Sequence, residues 1–488
     1  MKAMKKLASL LLALALVFSL GLTAFADDED LDGGMTVDTA TISVEDNRTY
    51  EVYQIFTGKL YNGKLTHVLW GTNAVLPEGA KVGDEVEESL LDTLEGNAGD
   101  SVIINRISPY VNFRSDPCGT VSKENPVTVS VGYYLLKDIT VLDDGEEYSR
   151  YVIQLVGDIN VKPKADAVTS TKKVKERNDS TNHTSQWQDA ADYDIGDEVP
   201  FSLKGVVSGT YDYYESYTFI FHDKLSAGLT FDSTTVQVRV GDAPISSGYE
   251  VVTECEDGCT FHIVIENLKV IPAVEANSRI YVDYKAILNE NAVLGSAGNP
   301  NEMYLEYSNN PAEPDSTGET VEDKVTVFTY KLEVNKVDEA GQALKGAGFT
   351  LYKEIHSGTE IQEVAIGEEV KGNDMTAFTW KGLDDGTYVL KETTPPNGYN
   401  PIDPLKFVIT ATYQIESDNP QLTGLTGGTL GTGDIATGVI TTNVENRAGA
   451  TLPTTGGMGT TLIYAVGGIL VLAAVVLLVT KKRMSDAE

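Results

Sequence analysis

Apolar and polar residues alternate in short runs along most of this chain, and the runs fall into three blocks. In the first block, residues 35–164, the stretches 50–56 (YEVYQIF) and 132–136 (GYYLL) and the apolar pair Leu69-Trp70 stand out. The second, residues 165–327, has such runs at 198–203, 217–222, 236–240, 261–266 and 280–288. The third, residues 328–448, has them at 331–337, 349–352, 378–380, 388–391 and 439–444. A period of two, broken by Gly, Asp and Asn, predicts short strands with one buried face. Residues 82–107 lack the alternation, and short helices are expected there. The pattern predicts an all-β chain of tandem immunoglobulin-like β-sandwiches.

Both ends break the alternation. Lys2, Lys5 and Lys6 precede an apolar run over 7–22, and Ala24-Phe25-Ala26 is followed at once by Asp27, Asp28, Glu29 and Asp30. This is the layout of a secretory signal peptide cleaved after Ala26. At the other end, Leu452-Pro453-Thr454-Thr455-Gly456 is followed by an apolar stretch over 461–480 and then by Lys481-Lys482-Arg483. Twenty apolar residues at ~1.5 Å each cross a bilayer core as a helix. The basic tail holds that helix from the cytoplasmic side. The device stalls the exported chain with the pentapeptide just outside the membrane, so membrane attachment is expected to be transient.

Charge narrows the partners. The chain has 37 basic and 72 acidic residues, a net charge of −35. Nucleic acid is excluded as an expected partner, because nothing would neutralise phosphates over an extended patch. With three cysteines, disulfides cannot be the main covalent staple. Cys255 and Cys259 bracket a Glu-Asp-Gly turn and are candidates for a small hairpin disulfide. The five histidines show no metal-ligand spacing such as HExxH. No metal, cofactor or external substrate is expected.

A different staple is available to a buried lysine: an amide to an Asn side chain, with loss of ammonia. The amine must be neutral, which burial favours, and a buried protonated acid must polarise the Asn carbonyl and shuttle protons. Strand parity selects candidates. In the third block Leu332, Val334 and Lys336 share a face, as do Tyr388, Leu390 and Glu392, and Ile440, Thr442, Val444 and Asn446. In the second, Val168, Ser170, Lys172 and Val174 share one parity, as do Tyr217, Phe219, Phe221 and Asp223, and Leu305, Tyr307 and Asn309. The triads expected are Lys336–Glu392–Asn446 and Lys172–Asp223–Asn309, with Lys173 and Asn310 as alternatives in the second.

The pentapeptide in this setting resembles the sorting signal of Gram-positive sortase substrates. Residues 388–399 (YVLKETTPPNGY) are similar to the pilin E-box, whose glutamate catalyses the intramolecular bond, and residues 221–231 resemble fimbrial isopeptide domains. Residues 159–165 (INVKPKA) resemble the pilin motif that supplies the polymerising lysine. The chain as a whole is similar to SpaA-like, sortase-assembled backbone pilins with CnaB- and CnaA-type domains. That resemblance implies a signal peptide (1–26), an N-terminal pilin domain (27–164), a fimbrial isopeptide-forming domain (165–327), a CnaB-type domain (328–449) and a sorting signal (450–488). It implies that a pilus-specific class C sortase cuts between Thr455 and Gly456 and joins Thr455 to Lys164 of the next copy, with Lys162 as the reserve. A housekeeping sortase would then attach the fibre to wall peptidoglycan. Further copies of the chain, ancillary pilins and an unnamed host surface ligand are the implied partners, and adhesion the implied role. A monomeric wall-anchored adhesin and an ancillary tip or basal pilin are the alternatives.

Overall fold

In the computed structural model the described residues are 39–94, 100–162, 167–311, 313–358, 360–449 and 469–471. Alternation becomes structure directly. Thr39–Val44 buries Ala40, Ile42 and Val44, and Tyr330–Val337 buries every second residue from Tyr330 to Lys336. The expected signal peptide, Lys164 and the Leu452–Gly456 pentapeptide lie outside the described residues. Of the apolar stretch 461–480, only the helical turn 469–471 is described.

The first block forms two sheets. Thr49–Tyr61 runs between Lys64–Trp70 and Gly132–Asp138, and Arg150–Leu155 adds the far edge. Asn62-Gly63 closes the first hairpin with φ of 52° and 75°, the left-handed pair that suits a two-residue turn. Thr39–Val44 lies between Val127–Ser130 and Ile159–Val161 in the second sheet. The region without alternation holds the helices Glu88–Leu94 and Asp100–Ile107. Arg48 anchors this block by donating from inside to Asp138 Oδ2 (2.6 Å) and the Glu147 carbonyl (2.5 Å).

In the second block a seven-stranded sheet faces a five-stranded one across an aromatic-rich core. Phe219–Leu225 sits centrally in the larger sheet, between Phe261–Ile265 and Asn299–Ser308. Glu198–Val206 sits between Thr169–Val174 and Arg279–Leu288 in the smaller. The third block pairs a three-stranded sheet with a six-stranded one. Its first strand, Tyr330–Val337, lies parallel to its last, Val439–Glu445, and antiparallel to Ala377–Leu383.

The blocks share their seams. Glu147 is buried and accepts from Thr210 Oγ1 (2.6 Å) and Tyr217 Oη (2.7 Å) of the second block. Residues 177–189 leave the second block and lie on the third, where Ser180 Oγ donates to the Glu354 carbonyl (2.7 Å) and the Asp179 carbonyl accepts from His356 N (3.0 Å). Ala190 and Phe328 are buried in the third core.

Candidate functional site

The first cluster lies where Thr169–Val174 brings one sheet of the second block against the other. Lys172 and Asp223 are fully buried and hydrogen-bonded to each other. Lys172 Nζ also donates to Tyr284 Oη (3.1 Å), and that hydroxyl donates to Asp223 Oδ2 (3.0 Å). The rings of Phe201 and Tyr284 flank the amine, with centroids 5.7 and 5.6 Å away. Burial pulls the Lys172 pKa down against the opposing pull of Asp223, and burial pushes the Asp223 pKa up. Both shifts favour a neutral amine beside a protonated acid.

The Asn that the fold brings to this cluster is Asn301, where parity pointed to Asn309. Asn301 is fully buried and its Nδ2 donates to Tyr284 Oη (2.8 Å). Asn301 Oδ1 and Asp223 Oδ1 are both buried without a hydrogen-bond partner. The residue opposite Asp223 on the strand Asn299–Ser308 is Met303. Asn309 lies six residues further on, ~20 Å at strand rise. There its carbonyl accepts from Tyr148 N (2.8 Å) and its side chain from Ser316 Oγ (2.7 Å), at the seam with the first block. Asn310 follows it. Lys173 points elsewhere and pairs with Asp189.

The second cluster gathers the expected residues. Lys336 is fully buried on the first strand of the third block, and Nζ donates to the carbonyls of Val444 (2.8 Å) and Val337 (3.2 Å). Asn446, just past the last strand, donates from Nδ2 to both oxygens of Glu392 (3.0 Å each) and to the Asn400 carbonyl (3.0 Å). Its Oδ1 is buried and unpartnered. Burial lowers the Lys336 pKa against the attraction of Glu392. The E-box earns its place locally. Glu392 ends a strand face, Gly398 turns the chain with φ of 86°, and Asn400 N donates to the Arg447 carbonyl (3.1 Å). Ile402 N then donates to Glu392 Oε2 (3.0 Å), so the loop fixes Glu392 and Asn446 together.

A third buried lysine, Lys353, is held differently. Lys353 Nζ is held by Asp384 Oδ1 (2.6 Å) and Asp194 Oδ2 (2.6 Å). Burial alone would depress its pKa, but the two carboxylates outweigh that and raise it. Lys353 stays charged and bridges the second and third blocks.

Of the remaining expected residues, Lys162 is exposed and paired with Glu45 (3.1 Å). Cys255 and Cys259 are free thiols. Cys255 Sγ donates to the Val252 carbonyl (3.7 Å), while Cys259 gathers with His222, Asp257 and His262. Sequence reasoning missed that gathering.

Comparison with known proteins matches the second and third blocks separately. Residues 195–311 match the family model described as Gram-positive pilin backbone subunit 2, Cna-B-like domain. Residues 330–421 match the SpaA prealbumin-like fold domain. The trypsin-resistant surface T6 protein of Streptococcus pyogenes is 27% identical over 398 residues, spanning 64% of this chain and 68% of its own. By these matches the chain carries the domains of Gram-positive backbone pilins. It is a structural subunit of a surface pilus anchored to the cell wall. The pilin also shares its fold with the solved T6 backbone pilin of serotype M6 Streptococcus pyogenes. That match has a TM-score of 0.53 and 18% identity, and covers 84% of this chain and 98% of the other.

Proposed function

We propose that this pilin polymerises head to tail and staples its second and third domains with internal amides. The observation that carries the staples is the pair of buried lysines, Lys172 and Lys336, each beside an acid and an Asn whose Oδ1 has no partner. In each cluster the neutral lysine attacks Asn Cγ. The acid gives its proton to the carbonyl oxygen and takes one from the amine. It then passes that proton to the departing NH₂; ammonia leaves, the carbonyl re-forms, and its hydroxyl proton returns to the acid. Asp223 serves Lys172 and Asn301; Glu392 serves Lys336 and Asn446. Beyond this self-directed chemistry the chain is a structural protein, without an external substrate.

Polymerisation uses the ends. A class C sortase cleaves Thr455–Gly456, holds Thr455 as a thioester, and transfers it to Lys164 of the next subunit. A housekeeping sortase passes the last subunit to peptidoglycan, and ancillary pilins complete the fibre. The domain bounds follow the same reading: 27–164, 165–327 and 328–449, with the sorting signal after 450. Boiled wall extracts run on SDS gels test it. Lys164→Ala should collapse a ladder of multimers to monomer, and a ladder that persists would move the linkage to Lys162 or another amine.

A further inference from the structure

On the outer face of the seven-stranded sheet, four side chains of mixed chemistry converge. His222 and His262 are directly opposed across neighbouring strands. The loop before the second of these strands supplies Asp257 and Cys259. One ligand atom from each of the four lies within 4.8 Å of every other. His222 Nδ1 is 3.0 Å from Asp257 Oδ2 and 3.1 Å from His262 Nε2, and His262 Nε2 is 2.9 Å from the same Asp257 oxygen.

We propose that His222 Nδ1, Asp257 Oδ2, Cys259 Sγ and His262 Nε2 bind one zinc ion. Two imidazole nitrogens and one carboxylate oxygen form a triangle with all three edges near 3 Å. A neutral pair of histidines needs only one proton between two facing nitrogens and gains nothing from adding a thiol. Around a tetrahedral zinc the ligand–ligand edges are about 3.3–3.6 Å, so small rotations of these side chains seat the ion. The donor set of two nitrogens, one sulfur and one oxygen suits zinc rather than calcium or magnesium, which take oxygen.

The surroundings are built as metal sites are. The second nitrogen of His222 is 3.1 Å from Glu306 Oε2, a carboxylate that fixes the ring and its tautomer. Tyr304 stacks on the same ring, with centroids 4.4 Å apart and planes 9° from parallel. Cys259 N donates to Asp257 Oδ1 (3.0 Å), which leaves the other Asp257 oxygen for the metal. The ion would pin the 253–260 loop to the sheet. That loop also reaches the neighbouring strand through Thr260 N, which donates to the Asp223 carbonyl (2.7 Å), behind the amide-forming acid.

The test uses the full chain, reduced and purified in detergent, stripped with chelator and titrated with zinc against a chromophoric competitor. One equivalent should bind. Cobalt should give the thiolate charge-transfer band and intense visible bands of a tetrahedral site. Cys259→Ser should abolish the thiolate band, and Cys255→Ser should keep it. Glu306→Gln, which leaves all four donors in place, should weaken zinc binding about 10- to 100-fold. His262→Ala, checked for fold by circular dichroism, should weaken it further. Absence of a stoichiometric site, or a Cys259→Ser chain that binds like the parent, would overturn the proposal. So would wall-derived fibres in which Cys255 and Cys259 are recovered as a disulfide.

Discussion

Glu392→Gln isolates the covalent staple of the third domain. Gln keeps the side chain's size and can still accept from Ile402 N, but it cannot carry the proton that the amide-forming step moves. The domain should fold with Lys336 and Asn446 side by side and unjoined. The missing bond would have closed a loop of about 110 residues, worth about 5 kcal/mol on the chain-entropy relation for covalent cross-links. For a domain of roughly 120 residues that corresponds to a fall in Tm of about 20 °C. Intact mass and calorimetry read the two consequences together. The variant should keep one more ammonia than the parent, and the transition of its third domain should drop. A variant that still loses both ammonias would remove Glu392 from the chemistry. One that keeps the ammonia yet melts within a few degrees of the parent would show that the cross-link carries little stability.

Three further outcomes follow from other parts of the structure. Asn301→Ala should prevent the second-domain cross-link and Asn309→Ala should leave it intact, as fragment masses of a tryptic digest will show. Arg48→Met strands Asp138 inside the first domain and should cost about 3–5 kcal/mol in denaturant unfolding. At the seam of the second and third domains, burial first and then Asp192, Asp385 and Asp179 push the Glu176 pKa up to about 8, against the nearby Lys353. A raised carboxylate pKa stabilises the fold most below the unfolded value near 4.5, and that contribution is lost as pH rises through about 8. Melting followed between those values should therefore fall with rising pH, and Glu176→Gln should flatten the trend.

How far the sequence carried this reading depended on how much register each residue needed. Lys336, Glu392 and Asn446 were legible because each sits near the end of a strand face and the E-box marks the acid. Asn301 was not. Parity repeats every two residues, so 301, 303, 305, 307 and 309 all satisfy it, and only the pairing of Asp223 with Met303 chooses among them. The same limit hid the zinc cluster. Asp257 and Cys259 are close in sequence, but His222 and His262 meet only because their strands are neighbours. The role of Lys353 was out of reach for a related reason, since Asp194 comes from another domain.

The most direct test of the whole account is tandem mass spectrometry of fibres released from the wall and digested with trypsin. The account expects a branched peptide in which the Thr455 carboxyl is joined to Lys164 Nε of a second copy. Recovery of Thr455 joined solely to wall peptide, with Lys164 unmodified throughout, would contradict it.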